Sequence, residues 1–284
     1  MATTFVDPAV RGRTPEQMID DVIALFIGTH PNGNVELIRD AYDVAYRLHD
    51  GQTRATGDPY IVHPIAVTEI LAGYGMDEAT LIAALLHDTV EDTEFTLDEA
   101  RDRFGDEVAL LIDGVTKLDR IKFSSRELAQ AATIRKMAVA MAKDIRVLVI
   151  KLADRTHNIR TLGPLPEEKQ RRVASETLDV YAPLAHRLGM QEIKHEMEET
   201  CFGVLYPGPK AEIEEAVLRR SPGRASDIER VIEDLSAVLS DHRPYIRKSH
   251  ALALHILFAR ATEGREYLLF ISRGDSTAVV FDPE

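Results

Sequence analysis

Apolar residues recur at three- and four-residue intervals through most of the first 240 positions of this chain, the spacing that lines one face of an α-helix. Thr14-Pro15-Glu16-Gln17 predicts the first helix start, with Thr14 as N-cap, Pro15 at the first helical position and Gln17 closing a capping box. Pro31-Asn32-Gly33-Asn34 interrupts it, and a second helix is expected over 35–49. A polar, glycine-bearing loop at 50–59 leads into Tyr60-Ile61-Val62-His63-Pro64, after which 65–72 has helical spacing. Residues 77–86 predict a buried helix ending at His87-Asp88, and Thr96-Leu97-Asp98-Glu99 is a capping box for the next.

Helices follow over 104–118 and 125–144, joined by Arg120-Ile121-Lys122-Phe123. Val147-Leu148-Val149-Ile150 is short and β-branched enough to pass for a strand. It runs into Lys151-Leu152-Ala153-Asp154 without a breaker, so one long buried helix is expected. Gly163-Pro164 stops that helix and Pro166 starts another, reaching about residue 186. Leu188-Gly189-Met190 breaks the chain again, and a helix over 192–205 ends at Tyr206-Pro207-Gly208-Pro209. The remainder differs: a linker at Ser221-Pro222-Gly223-Arg224, an acidic helix over 226–240, then two strands, 267–271 and 277–281, joined by a five-residue turn. The expected architecture is an all-α body over about residues 1–207 and a small α/β appendage over 208–284.

Composition narrows the function classes. The 45% hydrophobic content is that of a globular protein, and no stretch reaches the roughly 18 apolar residues of a membrane span. The first thirteen residues lack a basic-then-apolar export signal. A single cysteine, Cys201, fits a reducing compartment, so a cytoplasmic location is expected, with the thiol as a small buried hydrophobe. A net charge of −13 argues against nucleic acid as a partner, because that binding needs a basic face. One segment runs the other way: 145–172 carries seven Lys/Arg against three acids, which suits a small anionic ligand.

That basic segment surrounds a candidate metal ligand. His63, the adjacent pair His87-Asp88 and the distant Asp154 offer imidazole and carboxylate donors without thiolate, a set suited to Mn, Fe or Zn with open positions rather than to a closed structural zinc site. Glu91 and Asp92 lie one helical turn beyond His87 and Asp88, so helical geometry would stack each acid on a ligand. Acids at a helix C-terminus oppose the macrodipole, which favours a chemical role: a carboxylate that takes a proton from water activated by the metal. Lys151, Asp154, Asn158 and Thr161 share a helix face, placing an amide and a hydroxyl where ribose or phosphate oxygens would lie. Arg54 and Thr56, in the loop before His63, offer a cation and a second hydroxyl to the same ligand.

Five strings now carry a family resemblance: Gly57-Asp58-Pro59-Tyr60-Ile61-Val62-His63-Pro64, His87-Asp88-Thr89-Val90-Glu91-Asp92-Thr93, Asp113-Gly114-Val115-Thr116-Lys117-Leu118, the run from Lys151 through Asp154-Arg155-Thr156-His157-Asn158 to Leu162, and Tyr181-Ala182-Pro183-Leu184-Ala185-His186-Arg187-Leu188-Gly189. In order and spacing, over about 35–207, they resemble the hydrolase domain of the RelA/SpoT homologue family, within the HD superfamily. The resemblance implies a helical HD fold, Mn²⁺ as cofactor, and removal of the 3′-pyrophosphate from guanosine 3′,5′-bis(diphosphate) alarmones. It implies His63, His87, Asp88 and Asp154 as metal ligands, Glu91 and Asp92 as the water-activating pair, and Arg54, Thr56, Asn158 and Thr161 as nucleotide contacts. Ala55, Thr56 and Gly163-Pro164 depart from the family pattern beside the nucleotide and put guanine preference in question. Hydrolysis of an adenosine 3′,5′-polyphosphate or another phosphorylated nucleotide, or non-catalytic alarmone sensing, are the alternatives. No synthetase segment is found after residue 240, so a hydrolase-only protein is expected, and the tail hairpin would offer an edge for a homo-oligomer.

Overall fold

The computed structural model describes residues 7, 9–10, 12–119 and 144–220, and four short strands between 254 and 271. The chain divides into two units, Met1–Lys210 and Ala211–Glu284. Within the first, α1 (Pro15–Thr29) begins with the expected capping box: Gln17 N–H donates to Thr14 Oγ1 and Thr14 N–H donates to Gln17 Oε1. Then come α2 (Val35–Leu48), α3 (Val62–Gly73), α4 (Glu78–Leu86), α5 (Thr89–Asp92), α6 (Leu97–Phe104) and α7 (Asp106–Asp119). Thr96 and Glu99 cap α6 reciprocally, as expected. The predicted 104–118 helix starts two residues later than expected, because Gly105 turns the chain at φ 93 after α6.

Helix α3 starts earlier than the 65–72 spacing implied, at Val62, and so takes in His63 and Pro64. Proline is tolerated there because first-turn amides have no helical partner. Its residues are apolar on every side, and α1, α4 and a later helix, α8 (Arg146–Arg160), pack around it. Burial on all sides is the reason the pattern is not amphipathic.

The stretch 147–150 is helical and buried within α8, as the absence of a breaker required. Val147, Ile150 and Ala153 of α8 join the core built by α1–α7, whereas Leu148, Leu152 and Ile159 join a second core. That second core is completed by α9 (Glu167–Glu176), α10 (Ala182–Arg187) and α11 (Gln191–Leu205). Between α9 and α10 lies one π-helical turn, Thr177–Tyr181. Pro183 lacks the N–H that would bond to residue 179, so the i→i−4 ladder cannot run straight through. Cys201 is fully buried in this core and its thiol is pushed up to about 11 by burial.

Two contacts fix α8 against the first core. Arg146 donates to Asp77 at 2.9 Å and pairs with Glu107 at 2.8 Å, tying its start to α4 and α7. Gly114 lets α7 approach: a Cβ there would lie 2.6 Å from Val147 Cγ2. Pro207-Gly208-Pro209, expected only as a terminator, opens a further helix, α12 (Pro207–Arg220), since proline fits a first helical turn. The predicted helices over 125–144 and 226–240 and the strand 277–281 fall outside the described residues, apart from Asp144. Tyr267 and Phe270-Ile271 are in strands, as expected, but among the described residues they belong to two separate pairings, Ala259 with Tyr267 and Leu254 with Ile271. No helix among the described residues is long and apolar enough to cross a membrane.

Candidate metal centre

Two breaks in helical structure, at the start of α3 and between α4 and α5, bring three of the donors together. His63 leaves the first turn of α3, His87 caps the end of α4, and Asp88 precedes α5. Helix α4 ends at Leu86 with His87 as its cap, as expected, so the helical geometry considered past Asp88 is not a continuation of α4. Instead Asp88 O accepts from Glu91 N–H at 3.2 Å and Asp92 N–H at 2.9 Å, opening a separate one-turn helix. Donor atoms of His63, His87 and Asp88 lie within 4.8 Å of one another. His63 Nε2 is 3.6 Å from Asp88 Oδ2, and His87 Nε2 is 3.1 Å from Asp88 Oδ1. From α8, Asp154 Oδ1 comes within 3.3 Å of His63 Nε2. Asp154 stands outside the tight trio, because Lys151 donates to its Oδ2 at 2.5 Å and Asn158 donates to its Oδ1 at 2.6 Å.

These residues fit a divalent cation. His87 Nδ1 donates to the carbonyl of Ala84 at 2.6 Å, which leaves Nε2 of the neutral ring as a lone pair. That Nε2 is buried and makes no hydrogen bond, although Asp88 is within ion-pair distance. A buried polar atom without a partner is costly unless something else satisfies it. Burial pushes the His63 imidazole down to about 3, so its ring is neutral. For His87 burial also disfavours charge, but Asp88 and Asp154 outweigh it and raise the pKa above the ordinary 6.5. Both carboxylates sit below the ordinary range: burial opposes this, and His87 beside Asp88 and Lys151 beside Asp154 prevail. The site therefore favours positive charge at its centre.

Asp92 is joined to the trio through a residue to which the sequence reading gave no role. The Tyr60 hydroxyl lies 2.8 Å from Asp88 Oδ2 and 3.2 Å from Asp92 Oδ2, oriented to donate. Burial and the charge of Asp88 raise the Tyr60 pKa, so the hydroxyl keeps its proton. Glu91 and Asp92 are both exposed.

Beside the donors opens a cavity of about 390 Å³, lined by Arg54, Ala55, Thr56, Tyr60, Lys151, Asp154, Arg155, Asn158 and Thr161, together with Leu162, Leu165, Lys169 and Val173. All five expected ligand contacts, Arg54, Thr56, Lys151, Asn158 and Thr161, line it. Arg54 is already engaged within the wall, donating to Asn158 Oδ1 at 2.8 Å and to His157 Nδ1 at 3.2 Å. Thr161 departs from expectation: its hydroxyl turns back on its own helix, donating towards the carbonyls of His157 and Asn158, so only its lone pairs face outwards. Arg155 stacks on Tyr181, 4.0 Å from the ring centroid, and pairs with Glu176 at 3.2 Å.

The family model described as HD domain matches residues 41–191. The chain is similar to a GTP pyrophosphokinase of Streptomyces coelicolor, 57% identical over 210 residues, covering 73% of this chain and 25% of that protein. It is also similar to the bifunctional (p)ppGpp synthase/hydrolase SpoT of Escherichia coli, 49% identical over 211 residues, with 74% and 30% covered. It thus spans less than a third of the length of these curated relatives. A solved metazoan orthologue of SpoT, described as hydrolysing ppGpp, aligns with TM-score 0.42 and 24% identity, covering 66% of this chain and 96% of that one.

Proposed function

This chain belongs to the HD-domain family, with an HD domain of the RelA/SpoT kind, and from that membership we propose that it is a phosphohydrolase which removes the 3′-pyrophosphate from guanosine 3′,5′-polyphosphates. One observation carries the reading: the imidazole–carboxylate cluster and a cleft with four cationic side chains share a wall formed by Tyr60 and Asp154. Mn²⁺ is the cofactor proposed, because nitrogen and oxygen donors without thiolate suit it. When bound, such an ion supplies a Lewis acid for phosphate oxygens and makes water more acidic.

The chain's own residues do the rest. His63, His87, Asp88 and Asp154 would hold the ion. Arg54, Lys151, Arg155 and Lys169 offset phosphate charge, and Thr56, Asn158 and Thr161 offer hydrogen bonds to ribose or phosphate. Asp92, fixed by Tyr60, and its neighbour Glu91 stand where a carboxylate can accept the proton of the attacking water. Hydrolysis is the step proposed for this HD domain.

The test is release of pyrophosphate from a guanosine 3′,5′-bis(diphosphate) in the presence of Mn²⁺. Glu91→Gln combined with Asp92→Asn should lower the rate by about 10²- to 10⁴-fold with Mn²⁺ affinity retained. Unchanged turnover in that double variant would remove the acid pair from the mechanism, and no pyrophosphate from the unaltered protein would overturn the reading.

A further inference from the structure

A buried chain of polar contacts runs away from the candidate metal centre, from His63 through His157 to Asp7. His63 Nδ1 lies 2.8 Å from His157 Nδ1, and both rings are buried. The other nitrogen of His157, Nε2, faces the carboxylate of Asp7, 3.3 Å from Oδ1 and 3.1 Å from Oδ2. Asp7 is 150 residues away in sequence and is itself buried. Its backbone N–H donates to Asp58 Oδ2 at 3.1 Å, and its Oδ1 accepts from Ala9 N–H at 2.9 Å.

The direction of this chain is fixed at both ends. A guanidinium only donates, so the 3.2 Å contact from Arg54 Nη1 makes His157 Nδ1 an acceptor. An ionised carboxylate only accepts, so Asp7 requires the proton of His157 on Nε2. The two requirements agree on one tautomer of His157. Because its Nδ1 bears a lone pair, His63 must supply the proton between the two rings from its own Nδ1. The neutral His63 ring then presents Nε2 as a lone pair towards Asp88 and Asp154.

We propose that Asp7 and His157 are positioning residues for the metal centre: they lock His63 in the tautomer and ring orientation that offer Nε2 to the cation. The two histidine ligands are thus prepared by different means, His87 by the carbonyl of its own helix and His63 by a relay anchored in the segment before α1. Outer contacts that orient a ligating histidine are commonly worth about 10- to 100-fold in metal affinity or activity. The inference rests on the metal-dependent reading above, but it concerns Asp7 and His157 alone.

The experiment uses the full chain and needs no substrate. Long-range ¹H–¹⁵N spectra of the metal-free protein should show His63 protonated on Nδ1 and His157 on Nε2. Asp7→Asn, nearly isosteric, should mix the tautomers of both rings and weaken Mn²⁺ binding about tenfold, read from the free-ion EPR signal. Asp7→Glu, which retains the carboxylate, should recover part of that loss. A proton on His63 Nε2 in the unaltered protein, or Mn²⁺ affinity unchanged in Asp7→Asn, would overturn the relay. Either result with pyrophosphate release intact would leave the hydrolase reading standing, whereas failure of the unaltered protein to bind Mn²⁺ would overturn both. Should Asp7→Asn not fold, the spectrum of the unaltered protein still decides.

Discussion

His87 Nε2 and Asp88 Oδ1 lie 3.1 Å apart on consecutive residues, yet the nitrogen makes no hydrogen bond. Helix α4 ends just ahead of them, at Leu86, and donor atoms of both side chains lie within 4.8 Å of one on His63. The arrangement fits two ligands to one ion, the role proposed for them.

Proton competition at that site should be one-sided. His87 has a raised pKa, so the metal-free site retains its proton where a free imidazole has lost it, and a cation must displace that proton. His63, near 3, has already lost its proton at any pH above that, and the two carboxylates remain ionised. Affinity for Mn²⁺ should therefore begin to fall at a higher pH than a free imidazole would give, by about tenfold per unit once His87 is protonated, with one proton released per ion there. Titration calorimetry in buffers of different ionisation enthalpy counts the protons; two released would contradict the assignment.

Tyr60→Phe removes the hydroxyl that reaches both Asp88 and Asp92 while keeping the ring. The rate of pyrophosphate release is expected to drop by about tenfold, the order of one hydrogen bond to a charged group, with KM little changed. A rise in KM at constant kcat would instead place Tyr60 on the substrate.

Lys151 neutralises Asp154 inside the protein, where both side chains are at most 10% exposed. Lys151→Met should destabilise the metal-free protein by about 3–5 kcal/mol, because a buried carboxylate loses its partner. It should also bind Mn²⁺ more tightly, by about tenfold, since a like charge beside the ion is gone. Urea unfolding with chelator and with Mn²⁺ separates the two effects, and Mn²⁺ should restore much of the lost stability.

Gly114→Ala tests the helix contact that holds α8 in place. The added methyl would collide with Val147, costing about 1–3 kcal/mol. Val147→Ala in the same chain should recover most of the loss in the melting temperature, where an independent effect would simply add.

Much of the helical body was legible because its signals are local. Both capping boxes, the break before Val35 and the buried run at 147–150 depend on residues within a turn of one another. The donor types were equally plain, since His87-Asp88 and Glu91-Asp92 end an apolar segment abruptly. The separate one-turn helix α5, the π turn ahead of Pro183 and the inward-turned hydroxyl of Thr161 were not legible. Each depends on which hydrogen bonds the packed helices leave open.

Sequence alone, through periodicity and residue chemistry, determined that this is a helical protein bearing imidazole and carboxylate donors beside a basic segment. Only the tertiary structure decided that Tyr60 ties Asp92 to Asp88, that Asp154 reaches His63, and that Asp7 meets His157 across 150 residues. Hydrogen-bond direction and burial arise where distant segments pack, and no spacing along the chain encodes them.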